Sequence, residues 1–165
     1  MPLRGNVPTR VAKVVERGEL DAALLARAGL ERLGLFAGVA VALDPLEMMP
    51  APGQGALALE IRADDRAASA ALTPLAHAPS ADASAAERAV LSGLGGGCQA
   101  PVAAFVTGSG EAGSGNPRLY GRVTAADGSV QLTASASMST AGAAAAGAEV
   151  ARLLRAAGAE RLLAR

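Results

Sequence analysis

Apolar residues in the first third of the chain recur at helical spacing. Val7, Val11, Val14 and Val15 share one face, Pro8 suits a first turn, and Gly18 stops the run, so a helix is expected over Val7 to Arg17. The short apolar run Leu20 to Ala26 predicts a buried strand, and Ala28 to Leu33 a second helix ending near Gly34. Pro45, Pro50 and Pro52 break the next stretch, and Pro50-Ala51-Pro52-Gly53-Gln54-Gly55 reads as a stiff turn and linker. Ala56 to Arg62 alternates as a strand does, and Asp64-Asp65 then cap a helix running to about Leu72.

From His77 onward the pattern changes. Ser84 and Glu87 stand at capping-box spacing, and Glu87 to Leu94 carries apolar positions at helical intervals before Gly95-Gly96-Gly97. Three strands are expected, at Pro101 to Thr107, Leu119 to Ala125 and Ser129 to Met138. Asp127-Gly128 is the hairpin turn between the last two. Thr140 to Ala157 is an alanine-rich helix, and Arg161 to Arg165 closes the chain. The first part therefore reads as the end of an α/β domain. The second reads as a small α+β domain, a three-stranded antiparallel sheet with helices on one face.

Composition narrows the function. The 165 residues carry 15 basic and 15 acidic groups, and this balance argues against an electrostatic nucleic-acid partner. No stretch is apolar and long enough to span a membrane, and the start of the chain lacks an apolar signal region. With one cysteine there is no internal disulfide, which fits a reducing, cytoplasmic setting. Lys13 is the one lysine among the cations. A GC-rich coding sequence accounts for most of that bias. The alternative is that some arginines grip carboxylates with a planar fork that lysine lacks.

Four residues carry candidate chemistry. Cys98 follows a glycine run between a helix and a strand, where a ligand could approach closely; it could equally be a small apolar filler at a tight turn. Arg4 precedes Gly5-Asn6 at a helix start, where free backbone N–H groups favour anions. Arg10 lies in that helix's first turn, where a cation opposes the helix dipole, and Arg32 lies at the end of the next helix. Each arginine could also be an ordinary solvated side chain. His77 could pair with Cys98, but no orienting acid is evident, and one Cys with one His does not make a metal site. The run Gly93 to Gly97 is no phosphate loop, since no Lys-Ser or Lys-Thr follows.

Several segments together resemble one family. Arg4-Gly5-Asn6-Val7 with Thr9-Arg10 is similar to an RGN-x-x-TR motif. Leu20-Asp21-Ala22 with Ala28-Gly29-Leu30-Glu31-Arg32-Leu33-Gly34, and Pro50-Ala51-Pro52-Gly53-Gln54-Gly55-Ala56, match further motifs. Ala86-Glu87-Arg88-Ala89 and Gly96-Gly97-Cys98-Gln99-Ala100-Pro101 match another. These resemble porphobilinogen deaminase (hydroxymethylbilane synthase), in family order over almost the whole chain. The resemblance implies a transferase that condenses four porphobilinogen molecules into hydroxymethylbilane with release of ammonia, in porphyrin and heme biosynthesis. The polypyrrole chain would grow on a dipyrromethane cofactor held by a thioether to Cys98, with Arg4, Arg10 and Arg32 binding its carboxylates. Residues 1–48 would end a periplasmic-binding-protein-like α/β domain 2. Residues 49–76 would form a hinge and return segment to domain 1, and 77–165 the cofactor-attachment domain 3. The intact family enzyme is expected to be a monomer. The family's catalytic aspartate belongs to an N-terminal half without a counterpart here, and Asp21 and Asp44 do not match its motif. The chain is therefore expected to be a C-terminal fragment without turnover of its own. The rival expectation is a non-enzymatic α+β module binding small anions through its arginines.

Overall fold

The computed structural model describes residues 3–97, 99–108, 116–138 and 142–163. The chain divides into two compact units, Met1–Asp44 and Pro45–Arg165.

The first unit holds two short helices, α1 (Val7–Val15) and α2 (Arg27–Arg32). Asn6 caps α1, accepting the Thr9 backbone N–H at 2.9 Å and the Thr9 hydroxyl at 2.6 Å. Gly18 takes a positive φ of 60° and Gly34 one of 67°, which is why the chain leaves helical geometry there. Val7 packs against Gly29, so the first turn of α1 lies beside α2. Leu30 is this unit's buried apolar side chain. The strand expected over Leu20 to Ala26 does not form: the backbone is irregular and Leu24 is exposed.

In the second unit, Asp65 caps α3 (Arg66–Leu72) by accepting the Ala68 N–H at 2.9 Å, as expected, and a 3-10 turn follows at Thr73–Leu75. Ala56 to Arg62 is another correction, because it has strand-like alternation and no ladder. Leu57, Leu59 and Ile61 stand 98, 60 and 39% exposed. A strand is a property of a pair, since its N–H and C=O groups need an edge to bond to. Among the described residues, none offers these two segments one.

α4 spans Ala78–Gly93 and begins with His77 as N-cap, well before the expected Ser84 start. Ser84 and Glu87 are therefore interior residues, and Glu87 is free to reach elsewhere. The sheet matches expectation. β1 (Val102–Thr107), β2 (Arg118–Thr124) and β3 (Gln131–Ser137) are antiparallel in the order β1-β2-β3. Phe105, Tyr120 and Ser135 are aligned across it. The β2–β3 turn uses Gly128 at φ 75°, and Asp127 accepts both the N–H and the hydroxyl of Ser129. α5 (Gly142–Ala156) and α6 (Glu160–Leu163) complete the unit.

One face of the sheet meets α4 and α5 in a single core built on Val90, Val102, Ala104, Val106, Leu119, Val123, Val150 and Leu154. Small residues bring the backbones close. A Cβ on Gly121 would lie 2.5 Å from Val150 Cγ1, and one on Gly93 would lie 2.6 Å from Ala151 Cβ. On the other face, the Arg122 guanidinium donates to the Leu46 and Glu47 carbonyls at 2.8 and 3.1 Å, holding the start of the linker on the sheet.

Candidate functional site

Local sequence explains the bend at the end of α4. Gly95 takes φ 67°, the Gly96 N–H returns to the Leu91 carbonyl at 3.0 Å, and the Gly95 N–H to Ser92 at 3.0 Å. This is a Schellman stop, satisfying helix-end carbonyls that would otherwise be orphaned. Gly96 is also held by space, since a Cβ there would lie 2.8 Å from Leu91 Cδ1 and 2.9 Å from Ala100 Cβ. Beyond it, the Gly97 carbonyl accepts the Ala100 N–H at 2.9 Å, and β1 starts at Val102. Cys98 itself lies outside the described residues, between these two anchored ends.

Glu87 is the group that sequence reasoning misplaced. At 7% exposure it is the buried charged residue of the described chain. Its Oε2 accepts the Gly53 N–H at 2.8 Å and its Oε1 the Val106 N–H at 3.0 Å. The Pro50 carbonyl takes the Ala104 N–H at 3.1 Å. The outer edge of β1 is thus closed by the linker and a carboxylate rather than left bare. Burial pushes the Glu87 carboxyl above its ordinary range, while the N–H donors of Gly53 and Val106 pull it back. The capping-box spacing pointed to Glu87 but assigned it a local role; only the β1 and linker backbones reveal its partners.

The three arginines share the first unit. Arg4 precedes Gly5, whose φ of 112° is in the region that favours glycine. Arg10 Nε donates to the Gly5 carbonyl at 2.7 Å. The motif is therefore a self-bonded turn: Gly5 bends, Asn6 caps through Thr9, and Arg10 folds back onto the Gly5 carbonyl through Nε. Arg32 occupies the last turn of α2 and is exposed, as is Arg4. Among the described residues, neither Arg4 nor Arg32 has a carboxylate partner. Three guanidiniums on one small unit can take several carboxylates with bidentate geometry. His77 is not brought into any catalytic pair among the described residues; its Nδ1 lies 2.8 Å from Ser80 Oγ. No helix among the described residues is long and apolar enough to cross a membrane.

The described residues thus define an arginine-bearing helical unit followed in the chain by a small α+β module. Comparison with known families says what this combination is similar to. Residues 1–70 match the family described as porphobilinogen deaminase, dipyromethane cofactor binding domain, and residues 81–156 match the porphobilinogen deaminase C-terminal domain. A porphobilinogen deaminase of Chromobacterium violaceum is 50% identical over 163 residues, which is 99% of this chain and 51% of the relative. That of Trichlorobacter lovleyi is 47% identical over 98% of this chain and 50% of the relative. That of Corynebacterium efficiens is 48% identical over 82% and 45%. The chain belongs to the porphobilinogen deaminase family, and it spans about half the length of these curated relatives. Arg4, Arg10 and Arg32 fall within the first matched region and Cys98 within the second.

Proposed function

We propose that this chain is the arginine-bearing and cofactor-attachment portion of a hydroxymethylbilane synthase, the transferase that joins four porphobilinogen molecules head to tail. Each addition breaks a substrate C–N bond, releases ammonia and forms a C–C bond to the growing chain. A dipyrromethane joined through a thioether to Cys98 supplies the primer. The observation that carries this reading is the 50% identity to a porphobilinogen deaminase across 99% of the chain.

The residues fit such a group. Each pyrrole unit bears two carboxylates, so the primer and growing chain are polyanions, and Arg4, Arg10 and Arg32 offer planar donors to hold them in register. In the sequence Cys98 follows directly on this glycine stop, where Gly95 takes a positive φ and Gly96 is too crowded for a side chain. The general acid or base that handles ammonia departure comes from the half of the relatives that this chain does not span.

Residues 1–48 are read as the end of an α/β domain, 49–76 as a segment returning to a first domain, and 77–165 as the attachment domain. Support comes from the bare, alternating Leu57, Leu59 and Ile61, a strand pattern in need of a neighbouring edge.

Intact mass after expression with a porphobilinogen supply tests the proposal. The chain completed to the length of its relatives is expected to gain the mass of two pyrrole units, and Cys98→Ala to lose that gain. A completed chain without the adduct defeats the proposal and favours a plain anion-binding module.

A further inference from the structure

We infer that residues 46–53 form a single cooperative strap, fastened along the outer edge of β1 and released as a unit. The inference goes beyond the proposed function and does not depend on it.

The segment is held from β2, β1 and α4 in turn. At its start, the Arg122 guanidinium, on the sheet face away from α4 and α5, donates to the Leu46 and Glu47 carbonyls at 2.8 and 3.1 Å. In its middle, the Pro50 carbonyl accepts the Ala104 N–H at 3.1 Å. At its end, the Gly53 N–H donates to Glu87 of α4 at 2.8 Å, and Glu87 also accepts the Val106 N–H. Alternate N–H groups of an edge strand point away from the sheet, so Ala104 and Val106 are the donors that a fourth strand would meet. The Pro50 carbonyl and the Glu87 carboxylate stand in its place.

Burial marks the same limits. Residues 41–45 are exposed, Leu46, Met49, Pro50, Pro52 and Gly53 are half-buried, and 54–62 are exposed again. Pro50 and Pro52 suit a segment that lies on an edge without joining the ladder. They carry no N–H in need of an acceptor, and their fixed φ reduces the freedom lost on fastening. Each fastening also shortens the loop that the next must close, which couples them. Bending of the chain is thereby confined to 41–45 and to the stretch from 54 onward.

Arg122→Ala tests the strap from one end and Gly53→Ala from the other. In Arg122→Ala, amide hydrogen exchange at Ala104 and Gly53 is expected to quicken together by about tenfold, although Arg122 bonds to neither, while Leu119 at the buried centre of the sheet keeps its protection. Gly53 takes a φ of 74°, a conformation that a side chain disfavours, so alanine there loosens the far end without entering the core. A protease that cuts after leucine and methionine is then expected to act about fivefold faster at Leu46 and Met48, at the opposite end. In the wild-type chain these two sites should be cut more slowly than Leu43 and Leu57, which flank the strap. Arg122→Lys keeps a donor but cannot span both carbonyls, and it replaces the alanine variant if that one unfolds. Wild-type exchange at Ala104 and Gly53 in the folded Arg122 variant reduces the segment to independent contacts and overturns the inference. So does unchanged cleavage at Leu46 and Met48 in Gly53→Ala. Wild-type cleavage at those sites as fast as at Leu43 and Leu57 overturns it as well.

Discussion

Removing the Glu87 side chain offers the sharpest energetic test of the second unit. Glu87→Ala deletes two hydrogen bonds to a buried carboxylate, at 2.8 and 3.0 Å, and strands the N–H groups of Gly53 and Val106. An unsatisfied buried donor costs about 1–3 kcal/mol, and the relief of an expensive buried charge offsets part of the sum. The expected net loss is about 2–4 kcal/mol. With a urea dependence of about 2 kcal/mol per molar, the midpoint of unfolding should fall by about 1–2 M at unchanged slope. Circular dichroism of the chain in a urea series measures it. A second signature is pH. The folded carboxyl holds its proton more tightly than the ordinary value of 4.5 because it is buried. Between 4.5 and the raised value, the folded chain therefore binds more protons than the unfolded one, and this group's contribution to stability declines as pH rises through that window. Above the raised value it is level. Glu87→Gln should remove that slope. A midpoint shift below about 0.3 M for the alanine variant would show that water or a neighbouring group replaces the lost acceptor, and would refute this role for Glu87.

Gly121→Ala places a methyl 2.5 Å from Val150 Cγ1 and 3.2 Å from Val90 Cγ1 in a fully buried layer, so overpacking should cost about 1–3 kcal/mol in the same urea assay; a neutral result would mean α5 shifts freely. Asn6→Ala removes the cap that meets Thr9 at 2.9 Å and should weaken α1 by about 1 kcal/mol, seen as faster amide exchange in its first turn. Asp127 is held below its ordinary 3.8 by the Ser129 hydroxyl first and the Ser129 N–H second. Its contribution is present above 3.8 and fades as pH falls through the lowered value. NMR titration should find the Asp127 midpoint moving up in Ser129→Ala, and no movement would discount the hydroxyl contact.

Much of the attachment module was legible because its signals are local. Asp127-Gly128 encodes a hairpin through dihedral preference alone, and alternation in Val102 to Val106 and Leu119 to Val123 marks one buried face. Gly95-Gly96 announces a helix stop, and the Arg4 to Arg10 motif carries its own cap and turn. Failures arose where a partner lies far along the chain. Ser84 and Glu87 have the spacing of a capping box, yet α4 already runs from Ala78, and proline at its first turn was the weaker, truer sign of the start. The apolar run that suggested a strand at Leu20 to Ala26 and the alternation that suggested one at Ala56 to Arg62 say nothing about whether an edge exists to receive them.

From the order of residues alone came the helix–bend–strand setting of Cys98, the three-stranded sheet and the family to which the motifs belong. Tertiary structure decided that Glu87 faces inward and joins Gly53 to Val106, and that Arg122 holds Leu46 and Glu47 against the sheet. It also decided which strand patterns pair. The division follows range: dihedral preference and periodicity act within a few residues, whereas a hydrogen bond across 34 positions or a ladder between strands exists only once the backbone has brought its two halves together.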